Sequence, residues 1–215
     1  EFLRSLQLQL EDASLSSIVI PTINGLDDEE TWGLKRELAA LRIRSVIVNE
    51  EPRGFAANHN HVISKVDARL YLISNDDVTL CPDTIASLVS FMDRAENQRV
   101  GVVSPRLLNY DGSIQPCTYS FPTLPRALIG MADLRKRVGG RMAVLLARIF
   151  SPGGDGASSI WTHDHQADVD TLRGAFVVVR RQCIDEVGTM DDVALVGGEE
   201  TEWHRRMRNA GWRVV

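Results

Sequence analysis

The most restrictive feature of this chain is a short apolar run that breaks into acid. In Tyr71-Leu72-Ile73-Ser74-Asn75-Asp76-Asp77-Val78, mostly apolar residues lead straight into a polar triplet ending in two carboxylates. Such a run, bounded by polar residues, predicts a buried strand of a parallel sheet. Open α/β sheets bind ligands just past the carboxyl ends of their strands, so Asn75, Asp76 and Asp77 fall at the rim of a site. Clustered carboxylates are unfavourable unless something positive sits between them. A hard divalent cation such as Mg2+ answers that need, because it binds through one or two carboxylates plus substrate phosphates. A polar turn answers the same pattern, since Asn and Asp favour turns and helix caps. Spacing alone leaves both readings open.

The remaining composition narrows the class. A chain of 215 residues is long enough for one domain with a full core. Its 44% hydrophobic and 25% charged residues are ordinary for a globular protein. A net charge of -5 argues against a nucleic-acid partner, because no basic excess drives counterion release. No apolar run is long enough to span a bilayer, and no signal peptide is read at the start. Cys81, Cys117 and Cys183 are odd in number and widely spaced. They read as inert buried thiols and suit a reducing cytoplasm.

Strands and helices alternate along the first half. Residues 1–13 carry Leu3, Leu6 and Leu10 at helical spacing, and Ser17 to Ile20 follow as a strand ended by Pro21. A helix from Asp27 to Leu41 begins with acids, which favour the positive end of its dipole. Ser45 to Val48 form a strand. A loop, Arg53-Gly54-Phe55-Ala56-Ala57-Asn58-His59-Asn60, then leads into a helix. Leu70 to Ser74 are a strand, Pro82 opens a further helix, and Val100 to Ser104 are a strand. Alternation of this kind indicates βαβ units and a mainly parallel sheet. Pro105 to Pro125 form an irregular excursion or short hairpin, Arg126 to Phe150 a basic helix, and Ser151 to Gly156 a glycine-rich loop. Gly174 to Val179 are a strand ending in Arg180-Arg181, read as a solvated strand end rather than a phosphate clamp. A helix over Glu202 to Asn209 stops at Gly211.

The order of these pieces resembles the family 2 glycosyltransferases, nucleotide-sugar enzymes, and within them the rhamnosyltransferase-like branch. Four blocks carry the resemblance. They are Arg53 to Asn60; Asn75-Asp76-Asp77-Val78; Gly174-Ala175-Phe176 through Arg181; and Gly198-Glu199-Glu200 with Trp203 to Arg206 and Ala210-Gly211-Trp212. The resemblance implies an α/β fold of GT-A-like, Rossmann type: a mainly parallel sheet flanked by helices. It implies one such domain over residues 1–215, with residues 105–168 as a flexible insertion and acceptor region. It further implies transfer of a sugar from a nucleotide-diphosphate sugar to a hydroxyl of a glycan or glycolipid, with inversion. Asp77 would hold Mg2+ or Mn2+, and Glu200 would be the catalytic base. Arg53, Gly54, Asn58, Asn75, Asp76, Gly174 and Glu199 would bind substrate, with Asp27 or Asp28 as a further nucleotide contact.

Two departures from the family pattern stand out. One strand is missing before the Arg53 loop if Ile18 to Ile20 are the family's second strand. Ile20-Pro21-Thr22-Ile23-Asn24 resembles the first-strand motif equally, which would restore it. The chain also stops at Val215, as a fragment or an unusually short member would. Secondly, Glu200 stands where the family has aspartate. A displacement on the order of 1 Å can cost ~100-fold in rate. The alternative reading is therefore a catalytically impaired member that binds a sugar nucleotide or partner without turnover. A rival site, His163-Asp164-His165 with Asp168, has metal-ligand residue types and would suit a metallohydrolase; a solvated loop explains it as well. The basic stretch Arg126 to Arg148 is either an ordinary packed helix or a peripheral contact with the inner face of a membrane.

Overall fold

The computed structural model describes residues 2–43, 45–121, 165–193 and 198–215. The first part runs α1 (Phe2–Asp12), β1 (Thr22–Asn24), α2 (Asp28–Ala40), β2 (Ile47–Asn49), α3 (Phe55–Lys65), β3 (Leu70–Ser74), α4 (Thr84–Asp93) and β4 (Val100–Val103). Short strands β5 (Leu107–Leu108), β6 (Ile114–Gln115) and β7 (Thr118–Tyr119) follow. The described chain resumes with β8 (Thr171–Leu172), β9 (Phe176–Arg180), α5 (Arg181–Val187), α6 (Glu199–Asn209) and β10 (Arg213–Val214).

The central sheet has four strands in the order β10-β4-β9-β3. β10 is parallel to β4, while β9 is antiparallel to both β4 and β3. Thus β3, β4 and β10 share one direction, and β9 is wedged between β3 and β4 in the other. All five residues of β9 are buried, as expected of an inner strand covered on both faces. The period-two alternation divides them between two cores. Val177 and Val179 face one side with Tyr71, Ile73, Ile184, Trp203 and Met207. Phe176 and Val178 face the other with Leu6, Ile85, Leu88 and Met92. α3, α5 and α6 therefore cover one face, and α1 and α4 the other. Gly101 permits close approach on the first face, because a Cβ there would lie 2.7 Å from Cys183 Sγ.

β1 and β2 form a separate parallel pair under α2, around Ile23, Leu38 and Ile43. This corrects the strand expected at Ser17 to Ile20. That segment is irregular and Ile18 is exposed, and the strand begins after Pro21 instead. The Pro21 carbonyl accepts from the Ile47 N–H (3.0 Å), a bond that asks no donor of proline. A strand–helix–strand unit accordingly precedes the Arg53 loop, and the strand that seemed missing is Thr22–Asn24.

The excursion after β4 contains the β5–β6 hairpin, closed around Asp111 and Ser113. The basic stretch 126–148, the glycine-rich loop 151–156, His163 and Asp164 lie outside the described residues. Burial raises the Cys117 thiol pKa and pushes that of Cys183 up to about 12, whereas Cys81 is exposed, contrary to the expectation of three buried thiols. Among the described residues no helix is long and apolar enough to cross a membrane.

Candidate active site at one end of the central sheet

The antiparallel pairing of β3 with β9 decides which residues meet. Ser74 at the end of β3 lies opposite Phe176 at the start of β9. One step further, the Asn75 N–H donates to the Ala175 carbonyl (3.0 Å). Beside it the Gly174 N–H donates to Glu200 Oε1 (3.3 Å). Two bonds thus tie the Asn75-Asp76-Asp77 turn, Gly174 and the first turn of α6 to one end of the sheet. Gly174 has a steric reason to be glycine. A Cβ there would lie 2.6 Å from Glu200 Oε1 and 3.1 Å from the Phe55 ring. The longer arm of Glu200 reaches into the space that a side chain at position 174 would fill.

Phe55 brings in the Arg53 loop. Asn24 accepts from the Arg53 N–H (2.9 Å) and donates to the Arg53 carbonyl (3.0 Å). Asn49 donates to Asn24 (3.2 Å) and to Asn58 (2.7 Å), and Asn58 donates to the Arg53 carbonyl (3.3 Å). Three amides, from β1, β2 and α3, thereby fix the backbone of the loop. Asn58, expected to touch nucleotide, has both ends of its amide engaged in this network. Gly54 serves as the N-cap residue of α3 with extended backbone. The Arg53 side chain is exposed and makes no hydrogen bond or ion pair among the described residues. Asp27 caps α2 in a capping box with Glu30.

The charges at this end are unmatched. Asn75, Asp76 and Asp77 are exposed, and neither aspartate has a cationic partner among the described residues. The described residues hold no cluster of three or more His, Cys, Asp or Glu that would cage an ion. Hard oxygen donors in small number fit Mg2+ or Mn2+, which complete their shells with phosphate and water. Glu199 differs from its neighbour. Successive helical positions point about 100° apart, so while Glu200 is half-buried at Gly174, Glu199 is turned inward and only 5% exposed. Its Oε2 is buried without a partner, as is Asn60 Oδ1. Glu199, expected to bind substrate, is therefore almost wholly buried, with one carboxylate oxygen unpartnered.

Two histidines support the site from behind. Burial pulls His59, edge-on to Phe55 at 4.4 Å, down to about 4. Burial also pulls His204 down to about 3. Its Nδ1 accepts from the Leu172 N–H (3.3 Å) and lies 2.8 Å from Thr171 Oγ1. This anchors α6 to β8, just before Gly174. Sequence reasoning missed Asn24, Asn49, Phe55 and the histidines as parts of one assembly, because they come from four different elements. Arg180 is the clearest correction. Expected at a solvated strand end, it is 5% exposed and donates to the carbonyls of Val100 (3.0 Å), Met92 (2.7 Å) and Asn97 (3.1 Å). In the rival motif Asp168 is engaged by Arg213 through three hydrogen bonds, the shortest 2.8 Å.

A family model described as glycosyltransferase like family 2 matches residues 16–215. N-acetylglucosaminyl-diphospho-decaprenol L-rhamnosyltransferases from two strains of Mycobacterium tuberculosis are each 26% identical over 152 residues, covering 67% of this chain and 43% of theirs. The chain thus spans less than half the length of these curated relatives. Among solved structures, mannosyltransferase PcManGT from Pyrobaculum calidifontis in complex with GDP-Man and Mn2+ aligns at a TM-score of 0.57 and 14% identity. That alignment covers 99% of this chain and 50% of the other. It bears out the expected α/β fold of GT-A type.

Proposed function

The chain belongs to the glycosyltransferase like family 2, and from that footing we propose that it moves a sugar from a nucleotide-diphosphate sugar to a hydroxyl acceptor, with inversion. The rhamnosyltransferases it resembles act, by their names, on a diphospho-decaprenol-linked sugar. A glycolipid or growing glycan is therefore the acceptor class proposed, met at the inner face of a membrane.

The observation that carries the reading is the pair of bonds joining Asn75 to Ala175 and Gly174 to Glu200. They gather a set of unmatched carboxylates and a half-buried one at a single sheet end. In the proposed mechanism Glu200 takes the acceptor hydroxyl proton as that oxygen attacks the anomeric carbon. The Gly174 N–H steadies one carboxylate oxygen and leaves the other as the basic atom. The nucleoside diphosphate leaves from the opposite face, which inverts the centre. Asp77, with Asp76 or Asn75, would hold Mg2+ or Mn2+, which when bound supplies Lewis-acid neutralisation of the diphosphate. The same metal class accompanies GDP-Man in the mannosyltransferase. Arg53, on its amide-braced loop, is available to reach phosphate.

The test is release of nucleoside diphosphate from a panel of sugar nucleotides, with Mn2+ or with EDTA. Release that requires both the cation and Asp77 supports the proposal. Release that persists in EDTA and in Asp77→Ala sinks the metal assignment. Glutamate in place of the family's aspartate at position 200 favours a second reading, binding without turnover. Calorimetric affinity for a sugar nucleotide with no release from any donor would select it.

A further inference from the structure

Immediately before Gly174 the chain presents a cation that its own described residues leave unanswered. Arg173 is exposed, and none of the described carboxylates pairs with it. It is nevertheless held in place. Its N–H donates to the Cys117 carbonyl (2.7 Å), fixing the backbone in the β7–β8 ribbon. Its guanidinium donates to the Tyr119 hydroxyl and stands 5.6 Å from the centre of that ring. Two residues along, Phe121 carries Arg205 at 4.8 Å from its ring. An arginine braced on an aromatic ring has already lost much of its rotamer freedom, so less is lost when it binds. Consecutive Cα atoms are about 3.8 Å apart, so Arg173 stands one residue from the N–H that holds Glu200 Oε1.

We propose that Arg173, steadied by Tyr119, binds a phosphate group of a substrate beside the reacting hydroxyl. The planar guanidinium matches phosphate oxygens in a way that neutral sugar hydroxyls do not. The phosphate belongs either to the donor diphosphate or to a diphosphate carried by the acceptor. This inference deepens the transfer reading and rests on its site.

The experiment uses the full chain and three calorimetric probes: a nucleoside diphosphate with Mn2+, a short-chain alkyl N-acetylglucosaminyl diphosphate, and the same alkyl glycoside without phosphate. Arg173→Ala is expected to weaken one phosphate probe by ~10- to 100-fold and to leave the phosphate-free glycoside unchanged. Weakening of the nucleoside diphosphate assigns Arg173 to the donor; weakening of the glycosyl diphosphate assigns it to the acceptor. Arg173→Lys should recover part of the loss and stands in if the alanine variant does not fold. Tyr119→Phe should produce a smaller loss confined to the same probe. Equal affinities of wild type and Arg173→Ala for both phosphate probes overturn the proposal. If wild type releases no nucleoside diphosphate from any donor, the transfer reading falls. An Arg173-dependent affinity for a phosphate probe would survive that result, so the two failures are distinguishable.

Discussion

The two ends of the β3–β9 pair carry opposite solutions to the same problem. At one end Arg180 satisfies three backbone carbonyls, and Arg181 binds Asp185, Asp67 and the Tyr71 hydroxyl. Arg69 there forks onto both oxygens of Asp93. At the other end Asp76, Asp77, Glu200 and Arg173 have no ionic partner among the described residues. The arginine end has an open hollow of about 540 Å³ lined by Asp67, Arg69, Arg180, Arg181 and Asp185. Charges that are answered internally hold a fold together. Charges left unanswered at a strand end are available to a ligand, and that contrast, more than pocket size, marks the candidate site.

Removing the proposed base should break the contrast most severely. Glu200→Gln keeps an oxygen for the Gly174 N–H but cannot take a proton. Turnover is expected to fall by ~10²- to 10⁴-fold with an unchanged melting temperature. Retained turnover would remove Glu200 from the chemistry. The converse experiment is Arg180→Met. It strands the carbonyls of Met92, Asn97 and Val100. A loss of about 2–4 kcal/mol in urea unfolding is expected, while kcat per folded molecule holds. Gly174→Ala comes next. Its Cβ would force Glu200 Oε1 from a 2.6 Å approach, and a shift on the order of 1 Å lowers rate by ~100-fold. An active alanine variant would mean that the carboxylate works from elsewhere.

Legibility in the sequence followed the range of the interactions. α1, α2, α4 and the apolar run of β3 were readable because their periodicity is local. The position of β9 between β3 and β4 was not, since the pairing Ser74 with Phe176 joins residues about a hundred positions apart. Arg180-Arg181 looked like a polar strand end because nothing nearby in sequence reveals that Met92, Asn97 and Val100 present carbonyls to it. Asp77, Gly174 and Glu200 were singled out as a group by resemblance, and Gly174 meets Glu200 in the fold, yet the reason for glycine at 174 is steric and visible only in three dimensions. The amide network around Arg53 escaped because Asn24 and Asn49 resemble ordinary strand-end residues.

Acid should sharpen the comparison by a smaller amount. The His204 pKa lies at about 3, below its ordinary value of 6.5, because of burial. The unfolded chain therefore binds the proton more readily than the folded one. The stability present above pH 6.5 is lost as pH falls toward 3, by about 1.4 kcal/mol per pH unit for one such group. Chemical denaturation at pH 7 and pH 5 measures it, and His204→Gln should flatten the slope. An unchanged slope would mean that His204 is not the group that acid protonates. The guanidinium groups of the arginine end stay charged throughout this range.

The weakest expected effect tests whether the matched charges at the arginine end act alike. Arg69 and Asp93 form an ion pair whose side chains are 58% and 47% exposed. Water screens such a pair, and holding two long side chains in one geometry opposes it, so a double-mutant cycle should return about 0.2–1 kcal/mol. Salt should reduce that coupling further, since the screening length shortens to about 3 Å at 1 M. Arg180, buried and bound to backbone, should show no comparable salt dependence. A coupling between Arg69 and Asp93 as large as the loss in Arg180→Met would mean that exposed pairs also hold this end together. The distinction would then lie between the two ends as wholes. A small, salt-sensitive coupling confines the structural role to the buried guanidinium and leaves the surface pairs as neutralisation, the service that the opposite end withholds from its own carboxylates.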